Sequence, residues 1–236
     1  MNGQLLITRP WPAAQRTAAA ARLAGFTPLI APLLRIEPIA WHPPATLPDA
    51  LLFTSAEAPP LARALSAIPA YAALPTYAVG ARTADAARAA GFDVRAMGAA
   101  DGSAALALAV AGGARRLLQV GGMDRAALCL PRGVRLTHLP VYAARTVEAL
   151  PPPVVAALAG ADVMATSLFS PRTAGLFAAL ADAAGLQRAQ LRLVTLSRAV
   201  AAAAGPGWRA VAVADAPTEA LLFAAAKRLW QEDAHG

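Results

Sequence analysis

Short apolar runs, each ending in a polar tip and followed by an Ala-rich stretch, recur along the whole chain. The runs at residues 4–8, 27–31, 50–54, 76–79, 94–97, 116–120, 135–141, 163–166, 191–195 and 210–213 read as strands. Segments 13–24, 83–90, 103–110, 171–184 and 218–230 combine good helix formers with apolar residues at helical spacing. Strands and helices alternating in this way imply an α/β fold with parallel sheets.

The pattern also repeats. Leu51-Leu52-Phe53-Thr54-Ser55 matches Val163-Met164-Ala165-Thr166-Ser167. Residues 83–91 match 197–205 in their opening hydroxyl, Ala content and closing Gly, and residues 101–106 match 215–220. These three pairs keep the same order in both halves. A fourth does not: Leu117-Leu118-Gln119-Val120-Gly121 resembles Leu5-Leu6-Ile7-Thr8-Arg9, at the opposite end of its half. Two similar domains, one inserted in the other, account for all four pairs. Residues 1–34 and 146–236 then form one discontinuous domain and 40–140 the inserted one. They are joined by a two-segment hinge near 33–39 and 140–146.

Of 236 residues, 57% are hydrophobic and only 6% aromatic, so a large and mainly aliphatic core is expected. The uncharged stretch 64–81 contains Pro69, Pro75 and Gly80, which makes a membrane helix a poor reading. No signal-peptide pattern opens the chain, and Cys129 is the single cysteine. A cytoplasmic protein with Cys129 as a small buried residue is therefore expected. The net charge is +7, with 21 basic residues of which only Lys227 is lysine. The excess favours an acidic partner. The arginines are scattered singly apart from Arg115-Arg116, and no basic run is interleaved with aromatics, so a small polyanion fits better than nucleic acid.

Ligands of open parallel sheets bind beyond the carboxyl ends of the strands. Here those ends carry one chemical type: Thr8-Arg9-Pro10, Thr54-Ser55, Gly80-Ala81-Arg82-Thr83, Gly121-Gly122, Thr166-Ser167 with Ser170-Pro171-Arg172, and Ser197-Arg198. Taken singly, each hydroxyl reads as a helix cap, and Pro10 and Pro171 suit first turns. Taken together on two facing domains, they make a cleft of hydroxyls, free backbone N–H groups and guanidinium groups. Glu57 is the one carboxylate among them. Such a cleft suits a ligand with many carboxylates.

Other chemistries lack their residues. No dinucleotide fingerprint, phosphate loop or nucleophile elbow is present. His42, His138 and His235 are isolated from one another and give no metal-ligand spacing with the single cysteine.

In order and spacing these motifs resemble the uroporphyrinogen-III synthase family over essentially the whole chain. They are Thr8-Arg9-Pro10, Gly25-Phe26, Phe53-Thr54-Ser55, Val79-Gly80-Ala81-Arg82-Thr83, Val141-Tyr142, Ser170-Pro171, Ser197 and Pro217-Thr218. Two positions depart from the family pattern. Ala56-Glu57 stands where Asn-Gly often follows Phe-Thr-Ser, and Gly121-Gly122 where Arg-Gly is common.

The resemblance implies two flavodoxin-like domains. It also implies a monomer that acts on hydroxymethylbilane, a linear tetrapyrrole with eight carboxylates, without metal or organic cofactor. Loss of the substrate hydroxyl gives an azafulvene, and attack by the substituted carbon of the terminal ring gives a spiro intermediate. Fragmentation and reclosure then invert that ring. Tyr142 matches a family tyrosine at the interdomain connector and is the candidate acid for hydroxyl loss. Thr8, Arg9, Ser55, Gly80, Arg82, Thr83, Ser167, Ser170, Arg172 and Ser197 are the candidate substrate-binding residues. The same residues also allow a non-catalytic, hinged two-domain binding protein for a polyanionic small molecule.

Overall fold

A computed structural model describes residues 3–99 and 101–233. The elements run β1 (Gln4–Ile7), α1 (Ala13–Leu23), β2 (Thr27–Ile30), β3 (Leu34–Pro38) and β4 (Ala50–Phe53). Three one-turn helices follow, α2 (Ala58–Leu61), α3 (Arg63–Ser66) and α4 (Pro69–Ala72). Then come β5 (Thr76–Val79), α5 (Gly80–Ala89), β6 (Val94–Gly98), α6 (Gly102–Ala111), β7 (Arg116–Gly122) and β8 (Arg135–Thr146). The chain ends with α7 (Pro152–Ala159), β9 (Val163–Leu168), α8 (Pro171–Ala183), β10 (Arg192–Thr195), α9 (Arg198–Ala204), β11 (Ala210–Val213) and α10 (Glu219–Asp233).

Two compact units divide the chain, with boundaries at Arg35/Ile36 and at Ala144/Arg145. The unit holding both ends of the chain has a five-stranded sheet ordered β2-β1-β9-β10-β11, parallel throughout. Its strands numbered along the chain give 2-1-3-4-5, a doubly wound order of the flavodoxin type. The inserted unit has a sheet ordered β8-β7-β4-β5-β6, also parallel, with β3 added beside β8. Read from β7, its order is the same. β1 thus corresponds to β7 and β9 to β4, the correspondence seen in the repeated sequences.

Alternate residues of each strand supply two cores, as the two-residue period of a strand covered on both faces requires. In the first unit Leu6 packs with Phe177 and Leu193 beneath α7, α8 and α9, while Leu5 and Ile7 pack with Phe223 against α1 and α10. In the second, Leu51 and Phe53 pack toward α2–α5, and Ala50 and Leu52 toward α6. The largest fully buried side chains are Phe53 and Phe177, followed by leucines and Ile7, so the core is mainly aliphatic.

The structure extends several expected elements. β8 runs five residues past the expected end at Val141, through Tyr142 to Thr146, with alternating burial. β3 had no counterpart in the apolar pattern because Arg35 and Glu37 interrupt it and Pro38 closes it. Cys129 is exposed rather than buried. Its neighbour Leu128 is the residue turned inward, against the Cβ position of Gly102. No helix among the described residues is long and apolar enough to cross a membrane.

Candidate active site

In a doubly wound sheet the ligand crevice lies where chain connections leave in opposite directions from neighbouring strands. That point falls between β1 and β9 in one unit and between β4 and β7 in the other. At these strand ends lie Thr8, Arg9 and Ser170 in the first, and in the second Thr54 and Ser55 beyond β4 and Gly121-Gly122, the last two residues of β7, which continues past its expected end at Val120.

The second unit brings Tyr142 to its crevice. β8 lies beside β7, and the register slips between Gly121 and Gly122, so that Gly122 faces Tyr142. The Tyr142 hydroxyl donates to Ser55 Oγ at 2.9 Å. Ser55 in turn donates to Glu57 Oε2 at 2.6 Å, and the Glu57 backbone N–H donates to Ser55 Oγ at 3.2 Å. Glu57 faces the Arg82 guanidinium at 3.9 Å. Burial pushes the Tyr142 phenol above its ordinary value; the Ser55 hydrogen bond opposes this, and the charges of Glu57 and Asp124 add to it. The phenol is therefore held protonated at neutral pH, a hydrogen-bond donor rather than a phenolate.

Gly80 opens α5 with φ 72°, a left-handed conformation that glycine adopts freely. Thr83 points inward from the first turn of α5 and is only 4% exposed, whereas Arg82 is exposed. A polar cluster that the sequence did not single out lies beside Thr54. Buried Gln119 donates to Thr54 Oγ1 at 3.4 Å and accepts from Arg125 Nη1 at 2.8 Å. His138 Nε2 lies 3.0 Å from the Gly122 carbonyl. Burial and then the Arg125 charge hold His138 below its usual pKa. The available signal was one amide side chain in the apolar run Leu117-Leu118-Gln119-Val120.

In the first unit Arg9 is not an open cation. Its Nη1 donates to Glu219 Oε1 and, at 3.3 Å, to Thr17 Oγ1, and its guanidinium lies 4.5 Å from the Phe169 ring centroid. Thr17 also donates to Glu219, at 2.6 Å. Glu219 is thus a further carboxylate beside the strand tips that the sequence did not single out. Thr8 is buried and its hydroxyl donates to the Ser167 carbonyl.

Ser167 differs from its expected place at an open tip. β9 continues to Leu168, so Ser167 sits inside the sheet with no exposed surface, and its hydroxyl donates to the Leu6 carbonyl. Ser170 occupies the open end instead. It caps α8 by accepting from the Thr173 N–H at 3.2 Å, with Pro171 and exposed Arg172 in the first turn. Ser197 caps α9 and lines a pocket of about 410 Å³ with Arg198, Asp215 and Pro217.

Among the described residues, no group of three or more His, Cys, Asp or Glu side chains could hold a metal ion. His235 lies outside the described residues.

A family model described as Uroporphyrinogen-III synthase HemD matches residues 15–224 of the chain. The chain belongs to the uroporphyrinogen-III synthase family. Members of the uroporphyrinogen-III synthase family are lyases of tetrapyrrole biosynthesis, and this chain is one of them. Two solved structures share the fold. A uroporphyrinogen-III synthetase from Helicobacter pylori superposes with a TM-score of 0.60 at 15% identity, covering 97% of this chain and 100% of the other. A mutant uroporphyrinogen III synthase from Thermus thermophilus gives 0.52 at 19% identity, covering 98% and 99%. No curated protein matches the chain. Of the departures from the uroporphyrinogen-III synthase pattern, Glu57 accepts from Ser55 in the Tyr142 hydrogen-bond chain, and Gly121 directly precedes Gly122, whose Cβ position would meet the Tyr142 ring.

Proposed function

We propose that the chain cyclises hydroxymethylbilane with inversion of its terminal ring, with Tyr142 as the acid that assists departure of the hydroxyl. The observation that carries this reading is the half-buried, protonated Tyr142 phenol beside the β4/β7 crevice, in a chain of this family. A neutral phenol can give a proton or hydrogen bond to a leaving hydroxyl as its C–O bond breaks.

The substrate is a polyacid, and the strand ends supply matching groups. In the first unit these are Arg9, Ser170, Arg172 and Ser197; in the second, Ser55, Gly80 and Arg82. Thr8, Thr83 and Ser167 face inward, and Ser167 lies within the β9 ladder, so beyond the groups just named binding falls to the first turn of α5 around Thr83. Backbone donors and guanidinium groups, pre-set by the fold, hold a flexible chain in one reactive arrangement. This reading places the enzyme in the cytoplasm as a monomer needing no cofactor. The family resemblance supports the monomer and the absence of a cofactor, and the single cysteine supports the cytoplasm.

Tyr142→Phe tests the catalytic role. The variant should keep wild-type circular dichroism and melting behaviour while isomer III forms at least about ten times more slowly. Unchanged turnover would remove Tyr142 from the mechanism.

A further inference from the structure

Tyr142 Oη, Ser55 Oγ and Glu57 Oε2 form a chain of hydrogen bonds, 2.9 and 2.6 Å long, within the inserted unit. Counting hydrogens sets its direction. A Glu57 carboxylate has no hydrogen to give, so the 2.6 Å contact uses the single hydroxyl hydrogen of Ser55. The two Ser55 lone pairs then accept from the Glu57 N–H and from Tyr142, and the phenol proton points inward. With Glu57 as a carboxylic acid the chain can run the other way. Glu57 donates to Ser55, Ser55 donates to Tyr142, and the phenol O–H is released for a neighbour.

The proposed reaction needs both directions. The substrate hydroxyl departs as water, so one proton must arrive as the C–O bond breaks. The terminal-ring carbon that makes the last C–C bond carries a C–H proton. That proton must leave, its electron pair restoring the pyrrole. One proton goes in, one comes out, and water is the only by-product.

We propose that Glu57 stores this proton and exchanges it with Tyr142 through Ser55, the same three groups working as acid at the first step and as base at the last. The proton moves from Glu57 to Ser55, from Ser55 to Tyr142 and from Tyr142 to the leaving hydroxyl; it returns from the ring carbon by the same route. Of the three groups only Tyr142 exchanges a proton with the substrate, so in this relay Ser55 and Glu57 act through it as positioning residues. Arg82 from α5 faces Glu57 at 3.9 Å, Tyr142 from β8 closes the other end, and Asp124 beyond β7 adds negative charge near the phenol. Glu57, which stores the proton, stands where the family pattern often has glycine.

The inference rests on the function proposed above, and one set of kinetics separates the two. Steady-state turnover of hydroxymethylbilane is measured from pH 5 to 9 for wild type, Glu57→Gln, Glu57→Asp and Tyr142→Phe, and for Glu57→Gln combined with Tyr142→Phe. Wild-type kcat should fall as pH rises across this range. Glu57→Gln should lower kcat about ten-fold or more, leave KM little changed and flatten that limb. Glu57→Asp should restore the limb in part. Glu57→Gln should cost nothing further in the Tyr142→Phe background, since residues acting as one unit are not additive. If wild type makes isomer III while Glu57→Gln keeps the pH limb, or slows Tyr142→Phe further, the relay is overturned and the function stands. If wild type yields only isomer I, the function fails and the relay with it.

Discussion

Gly122 and the Tyr142 ring leave no room for a β-carbon between them: one built on Gly122 would lie 2.7 Å from both Cε2 and Cζ of that ring. The last residue of β7 thus sets where the phenol sits. Gly122→Ala should displace the ring, cost about 1–3 kcal/mol of stability and slow turnover. Gly121→Ala is the control, since its β-carbon would meet only Thr54 Oγ1, at 3.4 Å. Melting curves and isomer III formation for both variants check this; equal turnover in the two would separate Gly122 from catalysis.

Arg9 must exchange partners if it binds a substrate carboxylate, because Glu219 holds it in the structure. Glu219→Gln should therefore lower KM by about three-fold, the scale of a partly exposed ion pair. Arg9→Ala should raise KM about ten-fold or more, the scale of a charge-assisted hydrogen bond. A KM unmoved by both changes would make the pair a packing feature between the β1–α1 connection and α10.

Phe177 has no exposed surface and its ring lies 5.8 Å from that of Trp208. Phe177→Ala should destabilise the protein by about 3–5 kcal/mol, through lost burial and the cavity left behind. Denaturant unfolding measures it.

Asp49 joins β4 to β7 through Arg116. The Arg116 side-chain hydrogen bond, then the Arg115 and Arg116 backbone N–H groups, lower its pKa to about 2. A carboxylate depressed on folding contributes stability that is complete above its unfolded value of about 4 and fades as pH falls to about 2. Solvent screening limits the contribution to about 1 kcal/mol, since the Arg116 side chain is 54% exposed. Asp49→Asn should be less stable than wild type at pH 7 and nearly equal to it at pH 2. A difference that persists at pH 2 would exclude the ion pair as its cause.

Periodicity made the sheets and long helices legible, because runs such as Leu5-Leu6-Ile7 and Leu51-Leu52-Phe53 are apolar on both faces. It missed α2, α3 and α4, where Pro59, Pro60 and Pro69 cut the helix into single turns too short to show a period. The tip residues were legible as types and not as environments. Thr54-Ser55 and Thr166-Ser167 look alike in sequence, yet β4 stops at Phe53 while β9 continues past Ser167. Arg9 and Glu219 meet across 210 positions, and Ser55 and Tyr142 across 87, so neither pairing leaves a local signal.

Hydroxymethylbilane closes on its own without inversion, giving isomer I, so the ratio of the two isomers reports catalysis directly. The measurement is that ratio at fixed substrate as the concentration of the purified protein is raised. The account predicts that isomer III comes to dominate as protein is added. Isomer I at every concentration would contradict it, and would leave a protein that binds polyacids without cyclising them.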